Sequence, residues 1–224
     1  MSRPSDASAR RRAEAYFVAS YEVARRLAEG RADEAIAVLQ RELERIGREA
    51  DPSSRRFLMS QIALCHARAG NQAEARRTLE RMEDELPRDW ETSLLLAEGW
   101  LLLLGSGERA GHHAADALRL AEQAGEDTLE TVSTARTLIA RALLAEGDLV
   151  GAFAAWEASP LPSWRVGADL IEAGFSAEAV RRVLAEALPR LEEQERRGGA
   201  DGVCASDRVR RLIAWIDAGC PSAG

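Results

Sequence analysis

The amino-acid sequence predicts an all-α domain, an α-solenoid of antiparallel helical hairpins, on three observations. Aromatic residues make up 5% of the 224 while hydrophobic residues make up 46%, so the apolar weight falls on Leu and Ala, which lose little free energy in a helix. Helix start and stop signals cut the chain into amphipathic segments joined by very short turns, and helices joined so tightly must pack antiparallel. A Gly, then an Ala, then a bulky apolar residue recur at one fixed spacing, as Gly30/Ala35/Leu39, Gly70/Ala75/Leu79, Gly147/Ala152/Trp156 and Gly174/Ala179/Val183. One mechanism explains the recurrence. The Gly permits a tight reversal, the small Ala lets the second helix approach the first, and the large residue fills the space one turn below. A chain of this length buries a continuous core, and β-sandwiches and barrels are excluded.

The elements follow in order. Residues 1–12 are expected to be a flexible N-terminus, 13–197 the solenoid, 198–205 a loop and 206–219 a C-terminal capping helix. Ala35, Leu39 and Leu43 form one apolar face. Asp51-Pro52 reads as an N-cap with Pro at the first helical position, and Asn71 with Glu74 and Asp127 with Glu130 have capping-box spacing. Asp89, Asp148, Ser176 and Ser206 are further N-cap candidates. The run Leu94–Leu104, broken by Glu98, reads as a helix buried on nearly all sides and far short of the roughly 20 residues that cross a bilayer. Pro189 is expected to end the helix that begins near Ser176 and to open a short one reaching Arg197. Val209, Leu212, Ile213 and Ile216 then make the apolar stripe of the capping helix.

Charge narrows the function. The net charge is -7, from 37 acidic and 30 basic residues, every basic one being Arg. A nucleic-acid binder shows the opposite excess, and an acidic chain is kept away from anionic membranes. Cys65, Cys204 and Cys220 form no C-x-x-C pair, so reduced thiols and a cytoplasmic location are expected. The opening residues lack the apolar stretch of a secretory signal.

Candidate chemistry is sparse. Gly105-Ser-Gly107-Glu-Arg-Ala110 resembles a dinucleotide fingerprint but lacks a βαβ setting, so it reads as an extended interhelical turn. Glu108, His112 and Asp116 share a helical face that could offer metal ligands, with His113 or His66 as additions, yet such a stripe is more often a solvated face. The pair Glu192-Glu193 lies on a charged helix surface, and Arg10-Arg11-Arg12 reads as a solvated terminus. No nucleophile elbow, H-E-x-x-H helix or phosphate loop is present in the sequence. No catalytic residue, cofactor or metal is therefore assigned.

The residues also resemble the tetratricopeptide repeat family, in a degenerate form of the bacterial type. The best match has Met59, Ile62, Ala63 and His66 on a first helix, Gly70 at the turn, Ala75, Leu79 and Met82 on a second, and Pro87 at the close. A second has Ile139, Ala140, Leu143, Gly147, Ala152, Trp156 and Pro160, and a third Val166, Gly167, Leu170, Gly174, Ala179 and Val183. Around residues 90–124, Ala97, Trp100, Ala114, Leu118 and Ala121 fit a unit whose turn is longer than the family's. Glu22 stands where the family has an apolar residue, and the intervals of 40 residues from Gly30 to Gly70 and 27 from Gly147 to Gly174 scatter around the family period. The resemblance covers roughly residues 15–190 and implies a right-handed solenoid of about five hairpins.

It also implies where a partner binds. In the family, contacts come mainly from the first helix of each unit, which here points to Ser60, Leu64, Arg68, Leu94, Glu98, Thr137, Arg141, Trp164 and Ala168 as a concave groove. Arg68 and Arg141 suit carboxylates, and Leu64, Leu94 and Trp164 suit apolar anchors. Carboxylate-clamp members use Lys and Asn in this groove, and neither type is there. The expected function is a non-catalytic protein-interaction scaffold or adaptor that binds a peptide or partner protein. A ligand-responsive regulatory arm with a deep pocket, an enzyme with an unrecognised site, and self-assembly through Trp215 or the Leu94–Leu104 helix are the alternatives.

Overall fold

The computed structural model describes residues 22–47, 51–197 and 205–219. Among them all regular structure is helical: a helical segment at 22–28, then α1 (Ala32–Ile46), α2 (Pro52–Arg68), α3 (Gln72–Glu85), α4 (Trp90–Leu102), α5 (Gly107–Ala124), α6 (Leu129–Ala145), α7 (Leu149–Glu157), α8 (Trp164–Glu172), α9 (Ala177–Arg196) and α10 (Ala205–Asp217). The expected flexible segment 1–12, Cys204 and Cys220 lie outside the described residues. The chain divides into two compact units, one from the described part of Met1–Arg88 with Leu102–Leu104, the other from Asp89–Leu101 with the described part of Gly105–Gly224.

In the first unit α1 packs on α2 and α2 on α3. Because α2 is covered on two sides, its buried residues Leu58, Met59, Ile62, Ala63 and Cys65 are not confined to one stripe. Val23, Ala35, Ile36, Leu39, Leu58, Ile62 and Cys65 form one core, and Ala75, Leu79 and Met82 bring α3 onto α2. The start of α2 is held by Asp51, which accepts from the Ser53 and Ser54 amides and, at 2.7 Å, from the Ser54 hydroxyl. Beside it the buried Arg55 guanidinium donates to the Gly47 carbonyl at 3.1 Å and to Glu85 at 2.7 Å. One cation thereby satisfies acceptors at the C-terminal ends of α1 and α3, where the helix dipoles favour positive charge.

Burial pushes the Cys65 thiol up to about 11, against a small opposing pull from the Arg68 charge. The thiolate is the reactive form. Native protein at pH 8 is therefore expected to leave Cys65 unalkylated by iodoacetamide, with modification only in denaturant, as peptide mapping by mass spectrometry reads it. Rapid native labelling would contradict this burial.

In the second unit α5 lies close along α6, and α6 along α7. The close approach comes from small residues, since Ala110, Ala114, Ala117 and Ala121 are all fully buried along α5. Gly107 begins that helix so near α6 that an added Cβ would sit 2.7 Å from the Ala142 carbonyl oxygen. A second core gathers Ala140, Ala152, Trp156, Val166, Leu170, Val180, Val183, Leu184, Leu191, Val209 and Leu212 from α6 to α10. The Trp156 indole donates to the Ser163 carbonyl at 2.8 Å. Gly167 makes room for that ring, because a Cβ there would lie 3.0 Å from it.

Several local expectations are corrected. The helix begun at Ser176 does not end at Pro189: α9 runs through it to Arg196, because Leu184, Ala187 and Leu191 are buried on both sides of the Pro and their packing outweighs one missing hydrogen bond. Asn71 makes no side-chain cap bond. Thr128 rather than Asp127 caps α6, accepting from the Thr131 amide. Ser206 lies inside α10, and its amide and hydroxyl both donate to Glu195 of α9, at 2.9 and 2.6 Å. The Leu94–Leu104 run is not buried all round, for α4 ends at Leu102, whose exposure is 49%. Asp89, Asp148 and Ser176 do cap their helices, and Gly30, Gly70, Gly147 and Gly174 all take positive φ at the reversals.

Candidate functional site

The nine groove candidates sit on four first helices. Ser60, Leu64 and Arg68 lie on α2 in the first unit, and Leu94 and Glu98 on α4, Thr137 and Arg141 on α6, and Trp164 and Ala168 on α8 in the second. None is fully buried. Spacing of four residues puts the members of each set on one helix face. The Ser60 hydroxyl is spent on the Phe57 carbonyl at 2.8 Å. Leu94 rests on Ala97, Ala114 and Leu138, while Trp164 and Ala168 pack half-buried on the second core. Arg68, Glu98 and Arg141 are exposed and none of the three is in an ion pair among those described.

Trp164 belongs to a second feature that sequence reasoning did not find. In the second unit a cavity of about 250 Å³ opens between the start of α6, the 161–163 loop, α8, the end of α9 and the start of α10. Leu161, Pro162, Trp164, Leu191, Ala205 and Val209 supply its apolar wall, and Glu130, Gln194 and Glu195 its polar part. Hydrogen bonds fix those walls. The Leu161 amide donates to the Ser133 hydroxyl at 3.1 Å, the Trp156 indole holds the Ser163 carbonyl, and Gln194 donates to Glu130 at 3.1 Å. The Ser206 hydroxyl and amide hold the Glu195 carboxyl below the usual carboxylate range. Outside the wall, the Arg165 and Arg208 guanidinium groups stand 5.5 and 5.3 Å from the Trp164 ring centre, within cation–π range. The only sequence signal for the cavity was Pro160-Leu161-Pro162 next to Trp164, since the other lining residues come from segments far apart in the chain.

The remaining chemical candidates form ordinary surface. His112 Nε2 lies 3.6 Å from Asp116, and Asp116 also accepts from Arg119 at 2.9 Å; no group of three or more His, Cys, Asp or Glu among the described residues could hold a metal ion. Glu192 pairs with Arg210, and Glu193 with Arg196 and Arg197. Gly105 takes a positive φ of 63° at the turn into α5, and the segment has no neighbouring strand among the described residues. Trp215 packs half-buried on the second core. No helix among the described residues is long and apolar enough to cross a membrane. Arg10-Arg11-Arg12 lies outside the described residues.

No protein-family model matches the chain, and no curated protein matches it. Solved structures do. The chain is similar to the nearly identical TPR-like repeats assigned to a kinesin light chain of Podosopora anserina, with 15% identity and a TM-score of 0.51 over 92% of this chain and 96% of that one. A singly substituted form of the same repeats aligns at 15% identity and a TM-score of 0.51, covering 91% and 96%. Identity so low speaks for the architecture alone, and it agrees with the helical hairpins, the Gly reversals and the buried Ala positions described above. The fold of this chain is the TPR-like helical-repeat fold.

Proposed function

We propose that the chain is a non-catalytic adaptor that captures a peptide or partner protein on the open faces of its first helices. The TPR-like repeat fold is generally a protein-interaction scaffold. The observation that carries the finer reading is that α2 and α6 each present an exposed Arg, Arg68 and Arg141, outside any ion pair among the described residues, with half-buried Leu64 and Thr137 one turn before it. Among the described residues no ion pair or hydrogen bond uses those guanidinium groups. They are available for carboxylates of a partner, while Leu64, Leu94 and Trp164 supply apolar anchors. A rigid helical face loses little entropy on binding. The reading extends to a reducing, cytoplasmic setting.

The experiment is quantitative affinity capture with mass spectrometry, comparing the wild type with the double reversal Arg68→Glu and Arg141→Glu. Reversing two charges that meet a partner is expected to lower its recovery about tenfold or more. Equal recovery would remove these faces from the function.

A further inference from the structure

We propose that the cavity of the second unit is a binding site for a compact organic cation, an apolar body such as a phenyl ring joined to an ammonium group that sits at Glu130. The inference shares Trp164 with partner capture but uses neither Arg68 nor Arg141, so the charge reversals at those two residues test partner capture alone.

Size sets the ligand class first. A dry apolar cavity of about 150 Å³ takes benzene, and sites for drug-sized molecules start near 300 Å³. The cavity here, at about 250 Å³, suits one ring with a short chain. The walls then set the chemistry. Pro162, Leu191, Val209 and the Trp164 indole give a mainly apolar surface for the ring. The charged groups on that surface are both carboxylates, Glu130 and Glu195.

The two acids are not equivalent. Each oxygen of Glu195 already accepts one hydrogen bond from Ser206, so this carboxylate is held in place and partly satisfied within the protein. Glu130 accepts from Gln194 through Oε1 alone, which leaves Oε2 to receive an N–H from a ligand. Arg165 and Arg208 bear on the Trp164 ring but neither lines the cavity. The charged side chains that line the cavity are therefore the two carboxylates. The hydrogen bonds from the Leu161 amide to Ser133, from Trp156 to Ser163, from Gln194 to Glu130 and from Ser206 to Glu195 hold the walls in place without a ligand, so binding requires little ordering.

The test is a titration of full-length protein with 3-phenylpropylammonium, 3-phenylpropanol and 3-phenylpropanoate at low salt, followed by amide chemical shifts. Ammonium is expected to bind about fivefold to tenfold tighter than the alcohol, and the carboxylate weakest, as a partly solvated ion pair allows. In Glu130→Gln, which keeps an acceptor for Gln194, the ammonium and alcohol should come within about twofold of each other. Ala205→Phe, which fills the cavity from the half-buried start of α10, should abolish binding of all three, after a thermal melt confirms that both variants fold. The inference is overturned if the carboxylate binds as tightly as the ammonium, if the ammonium preference survives in Glu130→Gln, if Ala205→Phe binds unchanged, or if no probe shifts the amides of the cavity wall.

Discussion

Trp156→Ala is expected to destabilise the second unit by about 3–5 kcal/mol, the range for deleting a fully buried Trp side chain. The side chain has 0% exposure and stands at the centre of the core formed by α6 to α10. Phe153 packs 5.9 Å from it, ring centre to ring centre, and Gly167 is held without a side chain to admit it. A void left there has helices on every side that are already tied by other contacts, so it cannot close cheaply. The lost hydrogen bond adds little, because the Ser163 carbonyl keeps the Gly167 amide at 3.2 Å as a second donor. Trp156→Phe, which keeps much of the volume and loses the N–H, should accordingly cost only about 1–2 kcal/mol. Urea denaturation followed by circular dichroism measures both, and a cost below about 1 kcal/mol for the Ala variant would contradict the packing described.

Gly107→Ala is expected to destabilise by about 1–3 kcal/mol, opposite in sign to what helix propensity alone gives. The new Cβ would meet the Ala142 carbonyl oxygen at 2.7 Å and the Glu146 side chain at 2.9 Å. Glu146 is flexible and can move away, but a backbone carbonyl within α6 cannot. Gly111 provides the control one turn along the same helix. Its added Cβ would lie 3.5 Å from the Ala142 methyl, an ordinary contact, so Gly111→Ala should stabilise by about 0.5–1 kcal/mol. Thermal melts of the two single variants test the pair. If both stabilise, α5 and α6 are farther apart than described.

Much of this fold could be read from residue order because its rules are local. A Gly that must reverse the chain, an Ala that admits a neighbour and a bulky residue one turn on are set by positions within a single hairpin, and Gly70, Ala75 and Leu79 behave as their spacing implies. Where tertiary contacts compete with local rules, the reading failed. Pro189 obeys the packing of Leu184 and Leu191 rather than its own preference. Ser206 looks like a cap by type and spacing, yet its hydroxyl and amide are taken by Glu195, eleven residues earlier on another helix. The groove candidates could be placed on helix faces in advance, and Trp164 among them lines a cavity. The cavity itself could not be foreseen, since Glu130, Leu161, Leu191 and Val209 meet only once α6, α8, α9 and α10 have packed.

The decisive measurement on partner capture is recovery of the same partner by three proteins of equal fold: the wild type, the first-helix reversal Arg68→Glu with Arg141→Glu, and a second-helix reversal Arg77→Glu with Arg119→Glu. Arg77 and Arg119 are exposed on α3 and α5 and pair locally with Glu74 and Asp116, so their reversal changes net charge by the same amount at different faces. Loss of the partner only from the first-helix variant is the predicted result. Loss from the second-helix variant, with full recovery by the first, would contradict it.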